Sequence, residues 1–291
     1  MSLTREWFGD FSLLRRPGSG GDQVAVHFAH ATGFNAYTYA PLFESLDPRI
    51  DLYALDARGH GFSRARAVPK ELRSWKPFVV DLEAFIREMP SPFVLAGHSM
   101  GGAVSLKVAA RNPEKVGALV LADPVLPPPQ LRLAFSFARA TGATARLPIA
   151  QGAAKRRVDF PSRDAAVNNF VGKGAFRTWP REWIEAYVDG GIVEVDGGVR
   201  LSCARAWESR VFATADPWPR RYIKRLRCPT TLIARQKASQ PLPVQSLDAF
   251  VRVRPDTRLL RLDASHFMTM ERPDLVRDEI HRAADSLRSK L

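Results

Sequence analysis

Apolar residues run through this chain in short blocks divided by polar, glycine-rich and proline-rich stretches. Val24-Ala25-Val26-His27-Phe28-Ala29 is nearly continuous, as a strand buried on both faces should be. Residues 51–56, 93–96, 116–122, 230–234 and 258–262 read the same way. Helix-compatible segments alternate with them: 39–46, with Pro41 in its first turn, and a stretch carrying Val79, Leu82, Ile86 and Met89 at helical spacing before Pro90. Residues 103–110 follow, and a last helix from near Pro273 keeps Val276, Ile280, Ala283 and Leu287 on one face. Near the start, Trp7-Phe8 and Phe11-Ser12-Leu13-Leu14 suit a short hairpin. The alternation predicts an α/β fold, a doubly wound, mostly parallel sheet with right-handed crossovers.

That rhythm stops at Pro127-Pro128-Pro129 and resumes at Thr230. The interval predicts a largely helical cap (lid) insertion over 125–227, carried by a core of 1–124 and 228–291. Within it the pattern predicts helices over 131–140 and 180–188. A hairpin should join 192–195 to 199–201 across Asp196-Gly197-Gly198. Phe135, Phe137, Trp179, Trp183, Tyr187, Trp207 and Trp218 are expected to pack the cap on the sheet, with an apolar acyl pocket as a second role.

Composition sets outer bounds. The chain has 291 residues, 45% hydrophobic and 25% charged, an ordinary balance for a protein with a sizeable core. No apolar run approaches the ~18–20 residues needed to span a bilayer. The first residues lack a basic start and an apolar centre, so a cytoplasmic location is expected. Cys203 and Cys228 fit no metal or redox spacing and are expected to be free thiols. The net charge is +13, yet the cations are scattered, with short clusters at 155–157 and 220–227 and no interleaved aromatics. A nucleic-acid partner is therefore not expected.

The chemistry centres on Gly97-His98-Ser99-Met100-Gly101, a Gly-x-Ser-x-Gly sequence between a buried strand and a helix. A chain that turns this sharply leaves no room for side chains at Gly97 and Gly101. Ser99 is the candidate nucleophile, and the Met100 N–H at the helix start would meet a developing oxyanion. Six histidines are candidates for the base. His27 lies within a strand, His60 in a glycine loop and His281 on a surface helix face, while His98 points away from its neighbour Ser99. His266, in the loop between the last strand and the last helix, can lie over the carboxyl ends of the parallel strands, where open α/β sheets build their sites. His266 is the residue selected. His27-x-x-His30 has metal-like spacing but no third ligand nearby.

Taken together, the chain resembles the α/β-hydrolase superfamily in its cap-bearing esterase, lipase and lactonase-like branch. The residues that carry the resemblance are His30-Ala31-Thr32-Gly33-Phe34, the segment 56–63 (Asp-Ala-Arg-Gly-His-Gly-Phe-Ser), Gly-His-Ser-Met-Gly-Gly, and Ser265-His266-Phe267 with Glu271-Arg272-Pro273. By position it implies Ser99 as nucleophile, His266 as general base and acid, and an oxyanion hole made by the N–H groups of Thr32 and Met100. The family's usual acid would stand in the loop after 230–234, which carries no carboxylate and has Gln240 at that place. An alternative in the superfamily sets the acid after the preceding strand, where Asp123 stands. Asp123 has two readings, triad acid or cap-hinge aspartate binding local N–H groups ahead of Pro124. Asp263 is a third candidate.

The expected function is that of a serine hydrolase cleaving a small carboxylic ester or lactone through an acyl-enzyme, without metal or organic cofactor. The alternatives are a catalytically weak small-molecule binding protein and a carbon–carbon bond hydrolase.

Overall fold

The protein is described by a computed structural model over residues 2–236 and 245–289. Six strands open the chain: β1 (Thr4–Phe8), β2 (Phe11–Arg16), β3 (Val24–Ala29), β4 (Ile50–Leu55), β5 (Phe93–His98) and β6 (Val116–Ala122). Three helices lie between them: α1 (Ala40–Glu44), α2 (Lys76–Glu88) and α3 (Met100–Arg111). The long connection after β6 holds α4 (Arg132–Ala140), α5 (Pro148–Lys155), β7 (Asp159–Phe160), α6 (Arg163–Phe170), α7 (Arg181–Asp189), β8 (Ile192–Val195), β9 (Gly198–Leu201), α8 (Arg205–Ala213) and α9 (Arg220–Arg225). The chain then completes the main layer with β10 (Thr230–Arg235), α10 (Gln245–Val253), β11 (Arg258–Leu262), α11 (Met268–Glu271) and α12 (Pro273–Arg288).

The eight strands of the main sheet run in the order β1-β2-β4-β3-β5-β6-β10-β11. From β4 to β11 every neighbouring pair is parallel, and the β1–β2 hairpin adds the antiparallel edge. This is the α/β-hydrolase fold. The central strand β5 is buried at every position, which is why its sequence shows no alternation. Helix α3 buries every residue but Arg111, covered by the sheet on one side and by α2 and α9 on others.

Two elements differ from the sequence pattern. The helix expected over 39–46 is shorter, because Asn35 caps a 3-10 turn over Ala36–Tyr39 and α1 begins only at Ala40. In the 125–227 interval the expected helices are α4 and α7 and the expected hairpin is β8–β9, but α5, α6, α8 and α9 also form, and β7 joins the hairpin in a three-stranded sheet. Those four helices are short, which leaves few positions for an apolar stripe to show, and α8 also buries Ala213 off the face of Trp207, Glu208 and Val211. The aromatic side chains behave unevenly. Trp183, Tyr187, Trp207 and Trp218 are buried, whereas Phe137 is 71% exposed.

Hydrogen bonds between side chains and backbone seat this layer on the sheet. The Trp207 indole N–H donates to the Arg58 carbonyl at 3.0 Å, and the Trp75 indole N–H donates to the Val211 carbonyl at 2.9 Å. Asn35 Nδ2 donates to the Tyr187 carbonyl at 2.9 Å. Gly59 is required at the first of these, since a Cβ there would fall 2.3 Å from the Trp207 ring nitrogen.

Candidate active site

Ser99 stands between the end of β5 and the first residue of α3 with φ 57 and ψ −116. A non-glycine residue in this region is strained, and the surrounding backbone holds it there. A Cβ on Gly101 would lie 2.1 Å from the Ala29 carbonyl oxygen, and one on Gly97 would lie 2.7 Å from the Gly101 backbone. Those close approaches clamp the turn between β3 and α3. The Ser99 N–H donates to the Ala122 carbonyl at 3.0 Å and the Ser99 carbonyl accepts from Val125 N–H at 3.1 Å, so β6 and the chain beyond it hold the turn from the other side.

Asp123 immediately follows β6, also at positive φ (38). His266 lies in the loop between β11 and α11. The loop is pinned by Glu271, which accepts from the Ser265 N–H at 2.7 Å and the Ser265 hydroxyl at 2.6 Å. From there the imidazole reaches both partners. Nδ1 is 2.6 Å from Asp123 Oδ2, and Nε2 is 2.9 Å from Ser99 Oγ. Carboxylate, imidazole and hydroxyl thus form one hydrogen-bonded line. Ser99 and Asp123 are buried, and the His266 side chain keeps 18% of its surface.

The remaining histidines are occupied elsewhere. His98 Nε2 is 2.8 Å from the His266 carbonyl and Nδ1 is 2.8 Å from the Tyr39 hydroxyl. With Nε2–H donating to that carbonyl, Nδ1 accepts the Tyr39 proton, and Tyr39 accepts the Ala31 N–H at 3.1 Å. Burial, with His266 nearby, pushes His98 down to about 3, so the ring is a neutral strut. It ties the loop of Thr32 to the loop of His266. His30 donates from Nδ1 to the Ala31 carbonyl at 2.8 Å and accepts the Ala57 N–H on Nε2 at 2.9 Å. His27 and His60 are buried, and His281 accepts the Asp47 N–H at 2.9 Å. Among the described residues no group of three or more His, Cys, Asp or Glu side chains is arranged to hold a metal ion.

Thr32 is buried on the loop after β3, next to Gly33 at φ 79. Met100 is the first residue of α3, where a helix N–H has no intrahelical acceptor. A Cβ on Gly33 would overlap the Glu208 carboxylate of α8, at 2.1 Å. Burial raises the proton affinity of Glu208, and Arg156 opposes it from 2.8 Å.

Two residues were not legible as parts of the site. Tyr39 reads in sequence as an ordinary helix residue. Arg235 closes β10 and donates from Nη1 to Asp123 Oδ2 at 3.0 Å. A charged residue at the carboxyl end of a buried parallel strand is a usable signal, but only the pairing of Ile233 with Ala122 sets β10 beside Asp123. Gln240 lies outside the described residues.

With this geometry established, the class is clear. A family model for the alpha/beta hydrolase family matches residues 28–279, and the chain belongs to that family. It is 36% identical over 105 residues to pimeloyl-[acyl-carrier protein] methyl ester esterase of Xanthomonas oryzae pv. oryzae, a match covering 36% of this chain and 39% of that protein. It is 25% identical over 279 residues to 2-(acetamidomethylene)succinate hydrolase of Mesorhizobium japonicum, covering 94% of this chain and 91% of that one. Among solved structures, E-2-(acetamidomethylene)succinate hydrolase superposes with a TM-score of 0.73 at 22% identity, covering 98% of this chain and 99% of that chain. A thioesterase domain from the curacin biosynthetic pathway gives a TM-score of 0.72 at 20% identity, covering 97% and 99%. No described helix is long and apolar enough to cross a membrane.

Proposed function

We propose that this protein is a serine hydrolase that cleaves a small carboxylic ester or lactone through an acyl-enzyme on Ser99. The observation that carries the proposal is the line from Asp123 through His266 to Ser99, at 2.6 and 2.9 Å. His266 Nε2 takes the Ser99 proton as Oγ attacks the carbonyl carbon, and Asp123 stabilises the imidazolium that forms. The N–H groups of Thr32 and Met100 receive the negative charge on the carbonyl oxygen. Collapse of the tetrahedral intermediate expels the alcohol, which takes the proton from His266, and water repeats the sequence to release the acid. No bond change in this scheme needs a cofactor. Residues 125–227 act as the cap that limits access and acyl size. The ester-cleaving relatives favour this reading over a binding protein, and so does the strained Ser99, since strain of that kind collects at reacting groups.

Labelling with a fluorophosphonate, followed by peptide mass spectrometry, tests it. Rapid modification of Ser99, abolished in His266→Ala, is expected. A folded protein that takes no label at Ser99 would count against hydrolysis and for ligand binding alone.

A further inference from the structure

Cations that are scattered along the sequence converge on one side of the fold. A cleft of about 1100 Å³ opens between α2, α3, α4, α9 and α10. Three of its cations are already paired. Lys107 and Arg139 share Asp216, and Arg111 holds Glu83. Six more, Lys76, Arg132, Arg220, Arg221, Lys224 and Arg252, line the same cleft, and among the described residues none of these takes part in an ion pair. Asp216, the one carboxylate in the described lining, already bridges two cations.

Like charges facing one another across a concavity repel, and a bound anion removes the penalty. One wall is built in advance, since Lys107 is buried and fixed by Asp216. Beside it, the Tyr222 ring carries the Arg221 guanidinium at 4.8 Å. Guanidinium forks match the paired oxygens of phosphate, and several cations from different elements suit several phosphates in one ligand.

We propose that this cleft binds an oligophosphate anion, two or more linked phosphate groups, either inorganic or carried by a nucleotide. It is separate from the proposed ester site. Ser99 is the N-cap of α3, and Lys107 lies roughly two turns along that helix, ~12 Å away. The proposal therefore stands whether or not Ser99 is a nucleophile.

Calorimetric titration of the full chain with tripolyphosphate, ATP and AMP tests it, beside the variant Arg220→Ala/Arg221→Ala/Lys224→Ala on α9. Tripolyphosphate is expected to bind with salt-dependent affinity and to raise the thermal midpoint. The triple variant should bind it at least tenfold more weakly, with an unliganded midpoint no lower than that of the parent chain, since removing like charges relieves repulsion. Equal affinity for tripolyphosphate and ATP would assign the phosphate chain alone, and tighter ATP binding would assign a nucleotide. Absence of binding at low salt, unchanged affinity in the triple variant, AMP binding as tight as ATP, or tighter binding of a single-stranded oligonucleotide would each overturn the proposal.

Discussion

Arg235 and His266 share one oxygen of Asp123: Nη1 of the arginine donates to Oδ2 at 3.0 Å, and Nδ1 of the histidine is 2.6 Å from the same atom. The Arg235 and Asp123 side chains are 4% and 5% exposed, so water screens neither. The guanidinium contact fixes the carboxylate in place beside the imidazole. Replacing Arg235 with methionine should lower kcat by about tenfold with KM little changed, because the carboxylate beside His266 loses the donor that fixes it. An unchanged kcat in the folded variant would show that Arg235 does not position Asp123.

The same contact gives Asp123 a structural role. Asp123→Asn should lower kcat by about a thousandfold or more if Asp123 is the triad acid. It should also destabilise the fold, because the buried guanidinium loses the charge of Asp123 beside it. Adding Arg235→Met to Asp123→Asn should restore none of the activity. Recovery of turnover in the double variant would remove Asp123 from the mechanism.

Tyr39→Phe tests the strut between the two loops. The hydroxyl accepts the Ala31 N–H and contacts His98 Nδ1, and its loss leaves two buried polar groups unsatisfied. Unfolding in urea should show a loss of about 1–3 kcal/mol, and kcat should fall more than KM rises.

Gly101→Ala should prevent folding or cost more than about 3 kcal/mol, since the added methyl would meet the Ala29 carbonyl oxygen at 2.1 Å, an atom fixed in the sheet. A soluble variant with a native thermal midpoint would contradict the observed clamp.

Stability should fall in mild acid. His27, His60 and His98 are each pushed down to about 3 from 6.5, burial being the main cause and a neighbouring histidine the second. Between those values the unfolded chain binds more protons than the folded one, so stability rises with pH and is lost as pH falls below about 6.5. Each histidine contributes up to ~1.4 kcal/mol per pH unit. Thermal midpoints measured from pH 7 to pH 5 should already decline, before most carboxylates protonate. A flat curve over that range would show that these rings charge in the folded state.

What the sequence determined by itself was local. The run Phe93 to Gly102 carries its own strand, turn and helix, because apolar continuity and three glycines admit little else. The strands after it were equally legible, and so was the position of His266 at the end of the last one. What the tertiary structure decided was pairing across the sheet. The choice between Asp123 as a hinge residue and Asp123 as a partner of His266 turned on a distance across 143 positions of chain, which no local pattern encodes. Arg235 joined the site only through the register of β10 on β6. The basic cleft has the same origin, since its cations come from five helices, α2, α3, α4, α9 and α10. Short-range order follows from side-chain periodicity, but contact between distant residues exists only once strand order and register bring them together.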